Sequence, residues 1–222
     1  MPADSHFRIL EAAGGTGING TTDFDRTNYF ETVPTGALEL ALWLEGDRHA
    51  ALLAAVTQEA LDNQRDVVKE EKRQRYDNQP YGTALVDVYA TVFPEGHPYH
   101  HPTIGSMEDL DAASLADVHA FFRTYYRPSN ASIAIAGDVR AERALALVEK
   151  WFGDLPGGSR PPALVAPRVE LGASRHVALE DRVQLPRLYV GWHSAAHYTG
   201  EDARSEEHTS ELQSRLHLVC RL

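Results

Sequence analysis

The residues best suited to chemistry include two adjacent acids, Glu70 and Glu71, in the stretch LDNQRDVVKEEKRQRYDNQP. This stretch, Leu61 to Pro80, has the spacing of an amphipathic helix. At about 100° per residue, Glu71 falls on the apolar stripe, whereas Glu70 points towards solvent. The predicted inward stripe consists of Leu61, Gln64, Val67, Val68, Glu71 and Arg75.

The role of Glu71 depends on what its carboxylate contacts. An inward carboxylate needs a partner, because an unpaired buried charge costs several kcal/mol. The residues leave three roles open: a salt bridge to Arg75 at i+4, a hydrated position at the edge of the stripe, and a metal ligand.

Two other motifs suggest chemistry only by their spacing. Residues 97–102, HPYHHP, contain three histidines, but two prolines prevent the helical register that would stack His97 over His101. We predict an ordered surface loop rather than a metal site.

Residues 15–20 match GxGxxG, yet they follow a predicted helix and precede strand-like residues, the reverse of a dinucleotide site. We predict a loop between helix and strand.

The surrounding pattern predicts an α+β fold, in which helices pack on one face of a sheet. Ser114 and Asp117 form a capping-box pattern at a helix start. Apolar periodicity and stop signals predict helices over 6–13, 35–50, 61–80, 81–92, 114–125 and 140–152. Alternation and β-branched residues predict strands over 19–33, 131–136, 176–179 and 187–192.

The chain also shows breaks in composition. The segment GDLPGGSRPP, residues 153–162, predicts a linker. We therefore expect a first unit over 1–152 and the start of a following subdomain over 163–203. No internal repeat is present.

Composition narrows the class of protein. With 222 residues, 43% hydrophobic and 24% charged, the chain is typical of a globular protein. A net charge of −11 argues against nucleic-acid binding. No apolar run approaches the ~20 residues of a membrane span, and a single cysteine, Cys220, excludes an internal disulfide.

Residues 204–222 do not continue the preceding pattern. Residues 204–214, RSEEHTSELQS, are what a common sequencing-adapter string encodes when translated in frame. We therefore expect 204–222 to be a non-native tail, to be set aside in fold reasoning. The alternative is a true C-terminal helix, EEHTSELQSRLHLV.

Five segments, in order, resemble the pitrilysin/insulinase family of inverted-motif zinc peptidases. They are LEAAGGTGINGTTDFDRTNYFETVP, ALELALWLEGDR, LDNQRDVVKEEKRQRYDNQPYG, HPYHHPTIGSMEDL and FFRTYYRPSNASIAIAGDV. The resemblance covers residues 5–200. It implies an α+β roll that occurs twice per enzyme, with the two homologous halves closing around a peptide chamber.

The resemblance also implies residue roles. In the family, Zn²⁺ is held by two histidines of HxxEH and by a glutamate on a downstream helix. Glu71 matches that downstream ligand, and Gln64 stands where the family often has a glutamate supporting the metal site. HxxEH itself does not occur in this sequence.

Four further residues match the edge strand on which the family's peptide substrates pair by β-augmentation. They are Asn19, Gly20, Thr21 and Thr22. The alternative is that these residues form an ordinary exposed strand.

Two hypotheses of function follow. The first is a fragment of a zinc metalloendopeptidase that hydrolyses peptides or unfolded polypeptides, itself inactive without HxxEH. The second is a non-catalytic homologous subunit that completes a peptidase chamber without binding metal. An HxxEH motif upstream of this sequence would distinguish them. A cysteine-free body is compatible with either the periplasm or the cytoplasm of a bacterium.

Overall fold

The computed structural model describes residues 5–196 and 199–200. The chain separates into two compact units, with divisions after residues 66, 107 and 164. The first unit combines the residues before the first division with 108–164. The second combines 67–107 with the residues from 165 onward. The predicted tail, 204–222, lies outside the described residues, as does the end of the predicted 163–203 subdomain.

Helices account for most of the regular structure. The α-helices are α1 (Ser5–Ala12), α2 (Leu38–Ala55), α3 (Gln58–Lys72), α4 (Ala84–Val92), α5 (Met107–Ala112), α6 (Leu115–Tyr125) and α7 (Ala141–Phe152). Short 3-10 turns cover Thr35–Ala37 and Pro128–Asn130, and a π-helical turn covers Arg73–Asp77. Six of these helices match predicted ones, and α5 was not predicted. None of the described helices is long and apolar enough to cross a membrane.

The two strands form an antiparallel hairpin, β1 (Thr16–Thr22) with β2 (Thr27–Thr32). The sequence predicted one strand-like stretch here, and the structure divides it by a turn that a bond from Asp23 N to Arg26 O closes at 2.9 Å. A register shift lies between Thr16 and Asn19. Gly17 in this bulge has a φ of +60°, which favours glycine because it has no Cβ.

The core of the first unit lies between this hairpin and the helices. Leu10 of α1 and Leu44 of α2 are almost completely buried, and Ala41 packs beside them. Ile18 of β1 and Val33, which follows β2, pack against this cluster. The helices thus cover one face of the hairpin, and the predicted α+β class is confirmed.

Local residues determine where helices α6 and α4 begin. Ser114 Oγ accepts from Asp117 N at 3.2 Å, and Asp117 Oδ2 accepts from Ser114 N at 3.0 Å, so the predicted capping box is confirmed. Tyr81 has a φ of +61°, outside the helical region. Helix α4 therefore begins at Ala84 rather than at the predicted residue 81.

The predicted strands over 131–136, 176–179 and 187–192 are wrong: these residues form no strand in the structure. Several apolar side chains in these segments are exposed, including Ile133 at 47% and Trp192 at 55%. An isolated strand is not stable, because its backbone groups need a neighbouring strand to bond. Within residues 5–196, the hairpin is the only sheet.

Candidate functional site

Glu71 lies near the end of α3, directly before the π-helical turn. Its Oε1 is 3.0 Å from Nη1 of Arg75, so the structure contains the predicted i+4 salt bridge. The side chain of Glu71 is 37% exposed and that of Glu70 is 55% exposed. Glu70 instead bonds Gln74 at 2.9 Å. The predicted order of exposure for the two acids is therefore confirmed.

The predicted inward stripe of α3 is wrong in its extent. No residue of α3 is buried, and Val67 on that stripe is 52% exposed. Gln64 is also exposed. The physical reason is Arg65, which donates to the main-chain oxygens of Leu110 at 2.7 Å and Ala113 at 2.8 Å. A guanidinium whose N–H groups bond carbonyl oxygens can face the protein interior. A helical pattern that treats every arginine as solvent-facing therefore predicts the wrong packed side for α3.

The residues present do not fit a zinc site. A catalytic zinc site uses three protein ligands and an open position for water. No group of three histidine, cysteine, aspartate or glutamate side chains close enough to hold a metal occurs among the described residues. The carboxylate of Glu71 is instead paired with the guanidinium of Arg75.

The three-histidine loop is structural. Nδ1 of His97 accepts from Tyr99 N at 3.1 Å, so its Nε2 carries the proton and donates to Pro167 O at 3.1 Å. The ring is buried and stacks on Phe93 with centroids 4.6 Å apart. Nδ1 of His100 bonds Phe93 O at 2.8 Å. The loop is ordered as predicted, but His97 is buried, and neither of its ring nitrogens is available to a metal.

The hairpin presents an open backbone edge. In an antiparallel pair, residues that bond each other across the strands alternate with residues that do not. The bond from Asp23 N to Arg26 O fixes this alternation. By the observed register, Gly20 and Thr22 are then at positions that do not bond β2. Their N–H and C=O groups point away from β2, along the edge of β1.

The side chains on β1 are consistent with this assignment. Thr22 Oγ1 lies 3.4 Å from Thr27 Oγ1, the close approach typical of a pair that shares no backbone bonds. Asn19 Oδ1 accepts from Gly20 N at 2.8 Å, so a side-chain oxygen bonds an N–H that β2 does not use. Strand β1 pairs with β2 alone in the described sheet. This edge can accept an extended peptide by β-augmentation.

The GxGxxG spacing has no dinucleotide geometry. Residues 16–22 form strand β1, and no helix begins after the last glycine of the motif. A phosphate-binding turn requires a helix N-terminus at that point. The predicted loop over these residues is wrong, because strand β1 begins at Thr16, soon after α1 ends at Ala12.

A second polar cluster, which sequence analysis did not predict, surrounds Tyr29 of β2. Tyr29 Oη and Tyr126 Oη are 2.8 Å apart, and Cζ of Arg48 lies 4.1 Å from the centre of the Tyr29 ring. Burial raises the pKa of Tyr29 above its ordinary value, and the bond to Tyr126 adds to the shift. Burial lowers the pKa of His49, whose ring lies between those of Tyr126 and Phe152. A separation of 97 residues between the two tyrosines leaves no local signal for this contact.

Tyr81 is a second residue that the sequence did not single out. Its N–H donates to Asp181 Oδ2 at 2.7 Å, and its hydroxyl donates to Leu185 O at 2.5 Å. Cζ of Arg187 lies 3.8 Å from the centre of its ring. These contacts hold Tyr81 in its left-handed backbone conformation, which costs of order 1–3 kcal/mol for a residue other than glycine.

Comparison with known proteins gives consistent relationships. Residues 112–207 match the family model described as the peptidase M16 inactive domain. The chain is 31% identical over 196 residues to zinc protease PqqE of Helicobacter pylori, covering 86% of this chain and 43% of that protein. It is 32% identical over 180 residues to an uncharacterized zinc protease of Mycobacterium leprae, covering 80% and 39%.

Solved structures show the same fold. The crystal structure of a protease from Helicobacter pylori superposes with a TM-score of 0.66 at 30% identity, covering 76% of this chain and 39% of that one. The periplasmic protease PqqL from Escherichia coli superposes with a TM-score of 0.63 at 22% identity, covering 72% and 18%. The chain spans less than half the length of the curated relatives it matches.

Proposed function

Because this chain belongs to the peptidase M16, or pitrilysin/insulinase, family of zinc proteases, we propose that it is part of a metalloendopeptidase that hydrolyses peptides or unfolded polypeptides. The observation that carries the proposal is its 31% identity over 196 residues to a protein named as a zinc protease. The described residues contain no group of three metal ligands. Since HxxEH does not occur in the sequence, we infer that this chain alone is inactive and that other residues of the complete enzyme supply the rest of the metal site.

Within the complete enzyme, we assign Glu71 as one carboxylate ligand of Zn²⁺ and Gln64 as a residue that supports the metal site. Glu71 is less exposed than Glu70, yet its side chain is still 37% exposed, so its carboxylate is accessible to a metal that other residues also hold. Its present partner, Arg75, is 73% exposed and free to rotate into solvent when a metal takes its place. Gln64 is about two turns away on the same helix and can donate to a ligand without adding charge.

The substrate-binding element in this proposal is the edge of β1, residues Asn19, Gly20, Thr21 and Thr22. Two consecutive outward positions, Gly20 and Thr22, provide the N–H and C=O groups that an added strand bonds. Main-chain bonding of this kind suits peptides and unfolded segments, because it reads the backbone rather than one side chain. The carbonyl of an incoming strand displaces Asn19 Oδ1 from Gly20 N.

The architecture of the complete enzyme is part of the proposal. Residues 1–152 belong to the unit that carries the metal site, 153–162 link it to the next unit, and 163–203 begin a subdomain of the second type. A second homologous half or subunit closes the peptide chamber. The relatives are more than twice as long as the matched region, which leaves room for such a half within one chain.

A second candidate function is a non-catalytic subunit that completes the chamber without metal. The description of the family model, an inactive domain over residues 112–207, favours this candidate, as does the lack of a three-ligand group among the described residues. The two functions differ in whether the complete protein carries an HxxEH motif.

Recovering the complete coding sequence and expressing the protein that it encodes tests the proposal. We expect an HxxEH motif about seventy-five residues before Glu71, as in other inverted-motif peptidases. We also expect cleavage of a reduced, unfolded protein substrate that a zinc chelator stops and added zinc restores. A complete protein without HxxEH and without cleavage would overturn the peptidase assignment in favour of the non-catalytic subunit.

A further inference from the structure

The ring of Tyr29 covers Gly20 from the neighbouring strand. The two residues face each other in the hairpin register. A Cβ placed on Gly20 would lie 3.3 Å from Cδ1 and 3.5 Å from Cε1 of Tyr29. A glycine in a strand has no side chain to restrict its backbone, so it weakens the strand. An aromatic ring from the opposite strand compensates by packing over the exposed backbone.

Contacts from outside the hairpin fix that ring. Its hydroxyl bonds that of Tyr126, which follows α6, at 2.8 Å. The guanidinium of Arg48, on α2, lies over the ring face with Cζ 4.1 Å from the ring centre. Arg48 in turn bonds Glu45 at 3.0 Å and His6 at 3.1 Å. The ring is thus tied to two helices of the first unit.

We propose that Tyr29 is a positioning residue: held by Tyr126 and Arg48, its ring fixes the backbone of Gly20 in the geometry that an extended peptide needs at the free edge of β1. The inference rests on the proposed function, which makes that edge the peptide-binding element. Backbone hydrogen bonds weaken steeply when the N–H···O angle falls below ~120°. A glycine free to leave the β region would lose that alignment.

A bulge interrupts β1 close to this site. Gly17, with a φ of +60°, interrupts the register directly before Asn19. Pairing with β2 is regular from Asn19 to Thr22 and shifts only between Thr16 and Asn19. Because Gly20 does not bond β2 through its own backbone and has no side chain, the ring of Tyr29 supplies the packing on this face of the strand.

Nuclear magnetic resonance of the isotope-labelled 222-residue chain tests this role, with an uncharged decapeptide of alternating threonine and valine as the probe. Two signals are followed: the Gly20 Hα shift, which the Tyr29 ring current moves upfield, and the Gly20 and Thr22 amide shifts during peptide titration. The variants are Tyr126→Phe, which removes one hydroxyl, and Tyr29→Leu, which removes the ring. Tyr125→Phe, on an exposed ring of α6, is the matched control.

In the wild type and in Tyr125→Phe, we expect an upfield Gly20 Hα and a saturable peptide response at both amides. We expect Tyr126→Phe to reduce the upfield shift and to weaken the apparent affinity about fivefold. Tyr29→Leu should abolish both effects. A role limited to stability would lower the unfolding midpoint but would leave the ring-current shift and the peptide affinity of folded Tyr126→Phe unchanged.

The outcomes separate the two proposals. If the wild type binds the peptide and Tyr126→Phe binds it equally well, the positioning role of Tyr29 is overturned and the peptide-binding edge stands. If the wild type shows the ring-current shift but no amide response, both proposals about this edge are overturned. Should Tyr29→Leu fail to fold, Gly20→Ala serves in its place, because its Cβ would push the ring away while keeping every tyrosine.

Discussion

Glu71 and Arg75 form an ion pair with Oε1 and Nη1 3.0 Å apart, at the point where helix α3 passes into a π-helical turn. The residue proposed as a metal ligand therefore has a positively charged partner in the chain as it stands. An exposed pair at i+4 contributes about 0.3–0.5 kcal/mol to stability. A metal ion that two further protein ligands also hold can displace so weak a partner from Glu71. The carboxylate of Glu71 alone cannot hold the metal.

Glu71→Gln should leave the 222-residue chain nearly as stable as the wild type, within about 0.5 kcal/mol. Calorimetric titration should show no micromolar zinc binding by either protein. In the complete enzyme, the same change should lower zinc content and peptide cleavage together, and the neighbouring Glu70→Gln should change neither. Equal losses in both variants, or full activity of Glu71→Gln, would remove Glu71 from its proposed role.

His97→Phe should destabilise the second unit by about 1–3 kcal/mol, because Tyr99 N and Pro167 O lose their bonds to the ring while stacking on Phe93 is retained. His101→Phe, at an exposed position of the same loop, is the matched control and should change little. Urea unfolding measures both. Comparable destabilisation by the two variants would argue against a structural role particular to His97.

Acidification should weaken the first unit through His49. Burial, as the main cause, and Arg48 lower its pKa below 6.5, and Glu45 opposes them. The unfolded chain then binds a proton at a higher pH than the folded chain does, so stability is fully present above about pH 6.5 and is lost as the pH falls through the lower folded pKa. His6 shifts in the same direction, mainly through burial.

The measurement for this prediction is the free energy of unfolding at pH 7.5, 6.5 and 5.5. His49→Phe should flatten the profile between these values, and His101→Phe should reproduce that of the wild type. A profile that keeps its full slope after His49→Phe would assign the acid sensitivity to other groups.

Gly46→Ala should destabilise the first unit by about 1–3 kcal/mol. Its Cβ would lie 2.8 Å from Trp151 O, where α7 crosses α2, and a main-chain oxygen cannot move aside alone. Alanine gains at most about 1 kcal/mol of helix propensity over glycine, so the clash decides the sign. Gly36→Ala, with open space around its Cβ position, is the control for thermal unfolding. A more stable Gly46→Ala would contradict the observed helix spacing.

The sequence predicted features that local contacts determine. The helices follow from apolar periodicity, and the cap of α6 follows from two side chains three residues apart, Ser114 and Asp117. The difference in side-chain exposure between Glu71 and Glu70 follows from their angular positions on one helix. Five segments that resemble those of the pitrilysin/insulinase family, in the same order, then indicated the family. Their shared order along the chain is far more specific than any single motif.

The tertiary structure alone decided contacts between residues far apart in sequence. Arg65 meets carbonyls 45 and 48 residues away, and this contact turned the packed side of α3 away from the predicted stripe. His97 meets Pro167 O, 70 residues away, and becomes buried. Strands were overpredicted for a related reason, since a strand-like segment forms a sheet only where a neighbouring strand is available to bond its backbone.

The sequence by itself singled out the residues proposed for chemistry: Glu71 by its residue type and helical spacing, and Asn19 to Thr22 by their resemblance to the family's edge strand. Only the tertiary structure decided which backbone groups of that strand face outward and that Tyr29, fixed by Tyr126, covers Gly20. Such contacts form where strands and helices pack closely together. Which side chains meet there depends on their distances in the folded structure, and local sequence spacing does not give those distances.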